Sequence, residues 1–349
     1  MRTDARISMI QENVPLPLAR LETLLETLTN LPFVALSVSS YLLYSLVLYH
    51  KLMRTRARLV HAHVIFPQGL FGLIIARLLR IPFCITATGT DINVVMTLNP
   101  LLRAVCRVVL AHADMSICVS KPLQDHLRRL GVSNTLYVPN SVDISAIKQV
   151  VPSAKGDSIL YVGAMTENKR PLTLLRSFEK VVSQIPTATL VMCGDGPLRT
   201  IVEDEISKRD VRVRLIPKIS PEELNELRAN TAIFVLPSRH EGLSLALLEA
   251  MGAGQTIIAS RNESHISLLT DGQNALLVDP DNAEDFTRKI ILAIQDKELR
   301  SRLSESARHL CENVYSNVMV AGRLEEAYLN VIAKSERKRQ GTTTMAAET

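Results

Sequence analysis

Phe234-Val-Leu-Pro-Ser-Arg-His-Glu-Gly-Leu-Ser-Leu-Ala-Leu-Leu-Glu-Ala-Met-Gly-Ala-Gly254 is the stretch whose reading decides the fold. The apolar run up to Leu236 has the length of a buried strand, and Pro237 ends it. A polar loop then delivers Glu241 and Gly242, and from Leu243 the apolar residues recur at helical spacing until glycine closes the segment. A buried strand that runs through a short loop into a helix is half of a βαβ unit, so a parallel sheet covered by helices is expected. The helix start is expected to offer the unpaired amides of Gly242, Leu243 and Ser244 at the positive end of its dipole, an arrangement that suits a diphosphate. Glu249 lies eight residues after Glu241, or about 12 Å along a helix axis. Carboxylates at that spacing can each accept hydrogen bonds from a vicinal diol, one on either side of a diphosphate. Alone, the same pair also fits a blander reading, with Glu241 capping the helix and Glu249 solvated.

The alternation continues on both sides. Downstream and upstream of this stretch, strands are expected at Ile159–Val162, Thr189–Cys193, Val213–Ile216, Ala232–Leu236 and Thr256–Ala259. Helices fall between them at Leu172–Val182, Leu198–Lys208, Pro221–Ala229 and Leu243–Met251, with Asp285–Ala293 and a further helical region to Ala333 behind. A second set lies nearer the N-terminus. Its strands are Leu59–His63, Phe83–Ala87, Met115–Val119 and Thr135–Val138, with helices at Leu70–Leu79, Pro100–Leu110 and Lys121–Leu130. Residues 139–157 are rich in turn formers and read as a linker. The fold class is therefore α/β, with one Rossmann-like domain in residues 1–138 and another in 158–333, and a ligand cleft expected at the carboxyl ends of the two sheets. Residues 334–349 are charged, then small and polar, and read as a disordered tail.

The chain has 349 residues, 47% of them apolar but only 4% aromatic, and two aliphatic cores fit within that length. Its five cysteines are scattered, with neither C-x-x-C pairing nor zinc spacing, so no metal is expected and a reducing, cytoplasmic setting fits. Charge is uneven. Residues 1–150 carry 15 Lys and Arg against 8 Asp and Glu, whereas the rest carry 25 against 27. Between Thr27 and Thr90 there is no acidic residue, which points to an anionic membrane face as a partner. Nucleic acid is disfavoured, because no stacking aromatics interleave with the basic residues. Thr27–His50 is uncharged over 24 residues and is followed by Lys51, Arg54, Arg56 and Arg58. It has the length of a membrane span, but Asn30, Pro32 and four serines make a helix packed on the domain, touching lipid, the preferred reading.

These residues resemble the E-x7-E signature of the retaining family 4 glycosyltransferases, which have the GT-B fold. Other parts of that family's pattern occur in order: Ile159-Leu-Tyr-Val-Gly163 with Lys169, Gly194-Asp-Gly-Pro197, Pro139-Asn140 with Asp143, and Asp271-Gly272 with Leu276-Leu-Val278. In the first half His61-Ala-His63, Pro67-Gln-Gly69 and Gly89-Thr-Asp-Ile-Asn93 match as well, so the resemblance spans roughly Leu59 to Ala333. It implies transfer of a sugar from a nucleoside diphosphate sugar to a hydroxyl of a glycan or lipid-linked glycan, with retention and without a cofactor. Glu241 would hold the transferred sugar, Glu249 the ribose, and Lys169 the diphosphate, with Val213–Ile219 beside the base. His63, Thr88, Gly89 and Asp91 would lie on the acceptor side.

The pattern is also broken. Where the family usually has an arginine five residues before the lysine, this chain has Ala164, and Arg170 stands where the family usually has glycine and is expected to supply the missing cation. Thr88 replaces a usual histidine, and Glu263-Ser-His-Ile-Ser267 replaces a G-G-x-P-E loop, with His265 read as a surface residue. The first glycine is Gly69, so the family's first strand and glycine-rich loop have no counterpart before Leu59 and the N-terminal domain reads as incomplete. Two rival functions follow: a nucleotide-sugar-binding protein or partner subunit without turnover, and a nucleotide-sugar epimerase. The second is weakened because no carboxylate or histidine set for proton abstraction is evident.

Overall fold

A computed structural model describes residues 45–88, 96, 100–151 and 155–347. Residues 45–54 are helical, so the apolar run from Thr27 falls largely outside the described residues. Among those described, no helix is long and apolar enough to cross a membrane.

Four strands, β1 (Val60–His63), β2 (Phe83–Ala87), β3 (Met115–Cys118) and β4 (Thr135–Tyr137), form one sheet in that order, with β1 and β2 parallel. Between them lie α1 (Leu70–Leu79), α2 (Pro100–His112) and α3 (Lys121–Arg129). β2 is buried along its whole length, as expected of a largely apolar strand covered on both faces, with Thr86 its one polar side chain. α3 starts where the sequence predicts, because the Ser120 hydroxyl accepts from the Leu123 amide and Pro122 sits in the first turn.

The second sheet has six parallel strands in the order β10-β9-β8-β5-β6-β7: β5 (Lys155–Val162), β6 (Thr189–Cys193), β7 (Val213–Ile216), β8 (Thr231–Leu236), β9 (Thr256–Ser260) and β10 (Leu276–Val278). Its helices are α4 (Pro171–Val182), α5 (Arg199–Ser207), α6 (Pro221–Ala229), α7 (Leu245–Ala253), α8 (Glu263–Ile266), α9 (Ala283–Gln295) and α10 (Lys297–Leu310). Alternate residues of β5 feed two separate cores. Ile159 and Tyr161 join Leu174, Phe178, Phe286 and Ile290, while Leu160 joins Phe234, Leu247, Leu248 and Met251. The chain leaves β5 towards β6 and β7 on one side and later returns to its other side through β8. The point where the strand order reverses is therefore the β5–β8 pair.

By contact the chain divides into two compact units, Met1–Ile117 with Glu325–Thr349, and Cys118–Leu324. The last helix, α11 (Asn317–Ala347), supplies the C-terminal part of the first unit. It also corrects the expectation of a disordered tail from residue 334. Glu336-Arg-Lys-Arg-Gln340 are good helix formers that continue α11, and Glu336 pairs with Arg58 at 2.8 Å. About two turns earlier on the same helix Tyr328 packs edge-on to His61, whose Nδ1 lies 2.5 Å from the tyrosine hydroxyl and whose Nε2 lies 2.8 Å from Thr86 Oγ1.

Burial, with His63 beside it, lowers the His61 imidazole to about 3. The sign of the resulting pH dependence is fixed. Above the ordinary value of 6.5 the contact has its full stabilising effect. As the pH falls from there towards about 3, the unfolded chain binds a proton that the folded chain resists, and stability is lost. Melting temperatures measured from pH 7 to pH 4 are expected to fall less steeply in His61→Asn than in the parent. Equal slopes would refute this account of His61.

Candidate active site

The carboxyl ends of β5 and β8 carry the two loops that matter. Beyond β5, Gly163 is crossed by the loop after β6. Gly194 there has φ 148°, and a Cβ on it would lie 2.0 Å from the Gly163 carbonyl oxygen, so only glycine fits this approach. The β5 loop then makes a short turn, Glu167–Lys169. Asn168 staples this turn to the β8 loop with three hydrogen bonds: its Nδ2 donates to the His240 carbonyl at 2.9 Å, its Oδ1 accepts from the His240 amide at 3.0 Å, and its own carbonyl accepts from the Arg239 amide at 2.8 Å. The sequence reading missed Asn168, because nothing in its local pattern distinguishes it from a solvated turn residue.

That staple sets Lys169 beside Glu241, with Nζ donating to Oε1 at 2.5 Å and side chains only 22% and 9% exposed. The lysine ammonium has three donors, so it can keep Glu241 and still offer protons to phosphate oxygens.

The helix does not begin where expected. Ser244 is the N-cap, its hydroxyl accepting from the Leu247 amide, and α7 starts at Leu245. The Ser244 cap takes the role that the blander reading gave to Glu241. Gly242, Leu243 and Ser244 therefore form the loop that enters the helix, and Glu241 stands outside it, so a separation along one helix axis does not describe the two glutamates. The loop is clamped by its carbonyls. Gly242 accepts from Ser264 Oγ, and Leu243 from Asn140 Nδ2 at 3.1 Å. The amides of Gly242, Leu243 and Ser244 make no hydrogen bond among the described residues. They remain available to an anion, as the sequence predicts, together with the N-terminal end of α7.

Glu249 lies in the second turn of α7 and is 34% exposed. It is not simply solvated. Its Oε2 accepts from Nη2 of Arg228, a residue of α6 that is almost wholly buried.

Arg170 goes elsewhere. Its Nη1 donates to the Pro280 carbonyl and pairs with Asp281 at 2.9 Å, and Asp281 also takes Arg239 at 3.0 Å. The backbone of Arg170 is left-handed, φ 53° and ψ 47°, which accounts physically for glycine being the easier residue there. With its guanidinium committed to Asp281, Arg170→Ala is expected to change nucleoside diphosphate affinity by no more than about twofold. A loss of tenfold or more in a binding titration would restore it as the cation that replaces the one missing at Ala164.

His265 is the clearest departure from expectation. It is not on the surface but 1% exposed. Its Nδ1 donates to the Ser260 carbonyl at 2.7 Å, and its amide caps onto Asn262 Oδ1 at 2.9 Å. Burial lowers its pKa, which keeps the ring neutral. Ser260 Oγ and Asn262 Nδ2 both donate to the Ser238 carbonyl, so this polar cluster underpins the loop that carries Glu241.

On the other sheet His63 is exposed at the end of β1, its ring 4.4 Å from that of His61, and Thr88 follows β2 and is half-buried. Gly89 and Asp91 lie outside the described residues. Among the described residues, no group of three or more His, Cys, Asp or Glu side chains is placed to hold a metal ion.

Comparison with known proteins bears on the family and the fold. Residues 12–146 match the family model described as Glycosyltransferase Family 4, and residues 143–310 match Glycosyl transferases group 1. The first match begins well ahead of Leu59, so the likeness reaches further towards the N-terminus than the motifs alone do. An uncharacterized glycosyltransferase of Methanocaldococcus jannaschii is 27% identical over 253 residues, 72% of this chain and 69% of that protein. The UDP-Gal:alpha-D-GlcNAc-diphosphoundecaprenol alpha-1,3-galactosyltransferase of Escherichia coli is 23% identical over 312 residues, 82% of this chain and 78% of that one. Among solved structures, HepE of Anabaena in complex with UDP superposes with a TM-score of 0.71 at 17% identity, covering 81% of this chain and 82% of its own. Two adjoining family matches across residues 12–310, over two parallel α/β sheets, show that the chain belongs to the family 4 glycosyltransferases and has their GT-B fold.

Proposed function

We propose that this glycosyltransferase moves a hexose from a nucleoside diphosphate sugar, UDP-linked by preference, to a hydroxyl of a glycan or lipid-linked glycan, with retention at the anomeric carbon. The observation that carries the reading is the Lys169–Glu241 pair at the strand-order reversal, beside the free amides of Gly242, Leu243 and Ser244. In this reading Lys169 and those amides bind the diphosphate, Glu241 binds hydroxyls of the transferred sugar, and Glu249 binds the ribose. As the anomeric bond to the β-phosphate oxygen breaks, the acceptor oxygen forms the new bond and its proton leaves with the diphosphate. Negative charge then grows on the leaving phosphate, where the fixed amides and Lys169 stabilise it without a metal or other cofactor. The Escherichia coli relative is named for a UDP-sugar and a lipid-linked acceptor, which supports this choice of substrates.

In this reading the acceptor side works at an anionic membrane surface, on the cytoplasmic face. On α1 and α2 the apolar side chains of Ile74, Leu78, Leu101 and Val108 are exposed, and Arg77, Arg80, Arg103 and Arg107 are exposed among them with no acidic residue in either helix. Apolar groups ringed by arginine suit a bilayer of acidic headgroups. Ala164, an exposed alanine where a second cation would serve the diphosphate, favours a second reading, binding without turnover.

One assay separates the readings. The protein is incubated with UDP- and GDP-hexoses and lipid-linked or oligosaccharide acceptors, with and without vesicles containing phosphatidylglycerol. Transfer with the donor's anomeric configuration, read by NMR, supports the proposal. Donor binding with no product establishes the second reading, and failure to co-sediment with the vesicles removes the membrane.

A further inference from the structure

Arg228 is an expensive residue in its place. It stands in the last turn of α6 with its side chain 3% exposed. Nη2 donates to Glu249 Oε2, Nη1 reaches Asn225 Oδ1 only at 3.5 Å, and Nε is buried with no hydrogen-bond partner among the described residues. Burial lowers its pKa, with Glu249 opposing the shift. A buried cation with one carboxylate partner and a donor left over is costly, and an apolar side chain of similar volume would serve the core better. The carboxylate it holds is, by contrast, one-third exposed and faces two environments.

We infer that Arg228 is a positioning residue that fixes Oε2 of Glu249 and thereby presents Oε1 to the ribose diol of the donor nucleotide. This rests on the ribose role given to Glu249 above. Glutamate on a helix has several rotamers of similar energy, and a carboxylate free to choose among them loses entropy when a ligand fixes it. With Oε2 tethered, that cost is met on folding, and Oε1 keeps both lone pairs for the vicinal hydroxyls. Arg228 itself touches no substrate. The signal was absent from local sequence because 21 positions separate the partners and they belong to different helices.

The test is a titration of UDP or GDP, whichever the parent binds more tightly, and of its 2′,3′-dideoxy counterpart. Each is measured against the parent, Arg228→Met, Arg228→Lys and Glu249→Gln. The parent is expected to prefer the ribonucleotide. Arg228→Met should lower ribonucleotide affinity about tenfold and leave the dideoxy affinity unchanged, with Arg228→Lys recovering part of the preference. A structural role alone would move both ligands equally, and that result overturns the inference, as does a preference untouched in both Arg228 variants. Should Arg228→Met not fold, Arg228→Lys decides by the same ratio. A parent that binds neither ribonucleotide, or that shows no preference for the ribose hydroxyls, sinks the donor reading itself and this inference with it.

Discussion

Lys169→Met is expected to weaken nucleoside diphosphate binding by roughly 10- to 100-fold, the equivalent of the ~1.5–3 kcal/mol that a hydrogen bond to a charged group contributes. The loss should be large because Ala164 offers no second cation and Arg170 is committed to Asp281. It should also be specific to phosphate. Removing the ammonium deprives Glu241, 9% exposed, of its partner at 2.5 Å, so some loss of melting temperature accompanies it. Lys169→Arg separates the two effects: it keeps the charge but replaces a compact ammonium with a planar fork. Calorimetric titration of the free diphosphate checks the prediction. An affinity within twofold of the parent would remove Lys169 from the phosphate site.

Glu241→Ala has the second large effect, and on a different quantity. In the proposed role its carboxylate accepts from hydroxyls of the sugar being transferred, so kcat/KM should fall about 100-fold or more while affinity for the free diphosphate changes little. The alanine variant also releases Lys169 from its ion pair, which favours the diphosphate and works against any loss there. Because the two side chains are in direct contact, the Lys169→Met, Glu241→Ala double variant should be less impaired in kcat/KM than the product of the single effects. Parent-level transfer by Glu241→Ala would move the catalytic centre elsewhere in the chain.

Much of the fold was legible because it depends on local pattern. The strands Phe83–Ala87, Thr189–Cys193 and Val213–Ile216 and the helices Leu70–Leu79 and Pro221–Ala229 have the bounds that apolar spacing and their flanking Pro, Gly and Ser residues predict. Where the reading failed, caps, burial and helix propensity outweighed the polar or apolar look of the segment, and in one place a distant side chain helped. Leu243 continues the apolar spacing of α7, but the Ser244 hydroxyl fixes the cap one residue later and Asn140 holds Leu243 in the loop. His265 sits in a polar run that looks solvated, yet it is buried, with its Nδ1 held by the Ser260 carbonyl at the end of β9 and its amide by Asn262. Lys334-Ser-Glu-Arg-Lys-Arg339 has the charge of a tail, and its helix-forming residues carry α11 on instead.

The site was legible in part for the same reason. Glu241, Glu249 and Lys169 stand out by motif. What aims them does not: Asn168 stapling one loop to the other, Arg228 beside Glu249, and Ser260 and Asn262 bonding the Ser238 carbonyl are contacts between residues 21 to 72 positions apart, with nothing in sequence spacing to announce them.

The claim on which the rest depends is that the β5–β8 switch point binds a nucleoside diphosphate through Lys169. Titration of UDP, GDP, ADP and dTDP into the parent and into Lys169→Met tests it most directly. The account predicts that at least one of them binds the parent, raises its melting temperature by linkage, and loses roughly 10- to 100-fold in affinity to Lys169→Met. Absence of binding to all four at millimolar concentration, or equal binding by the two proteins, would contradict it.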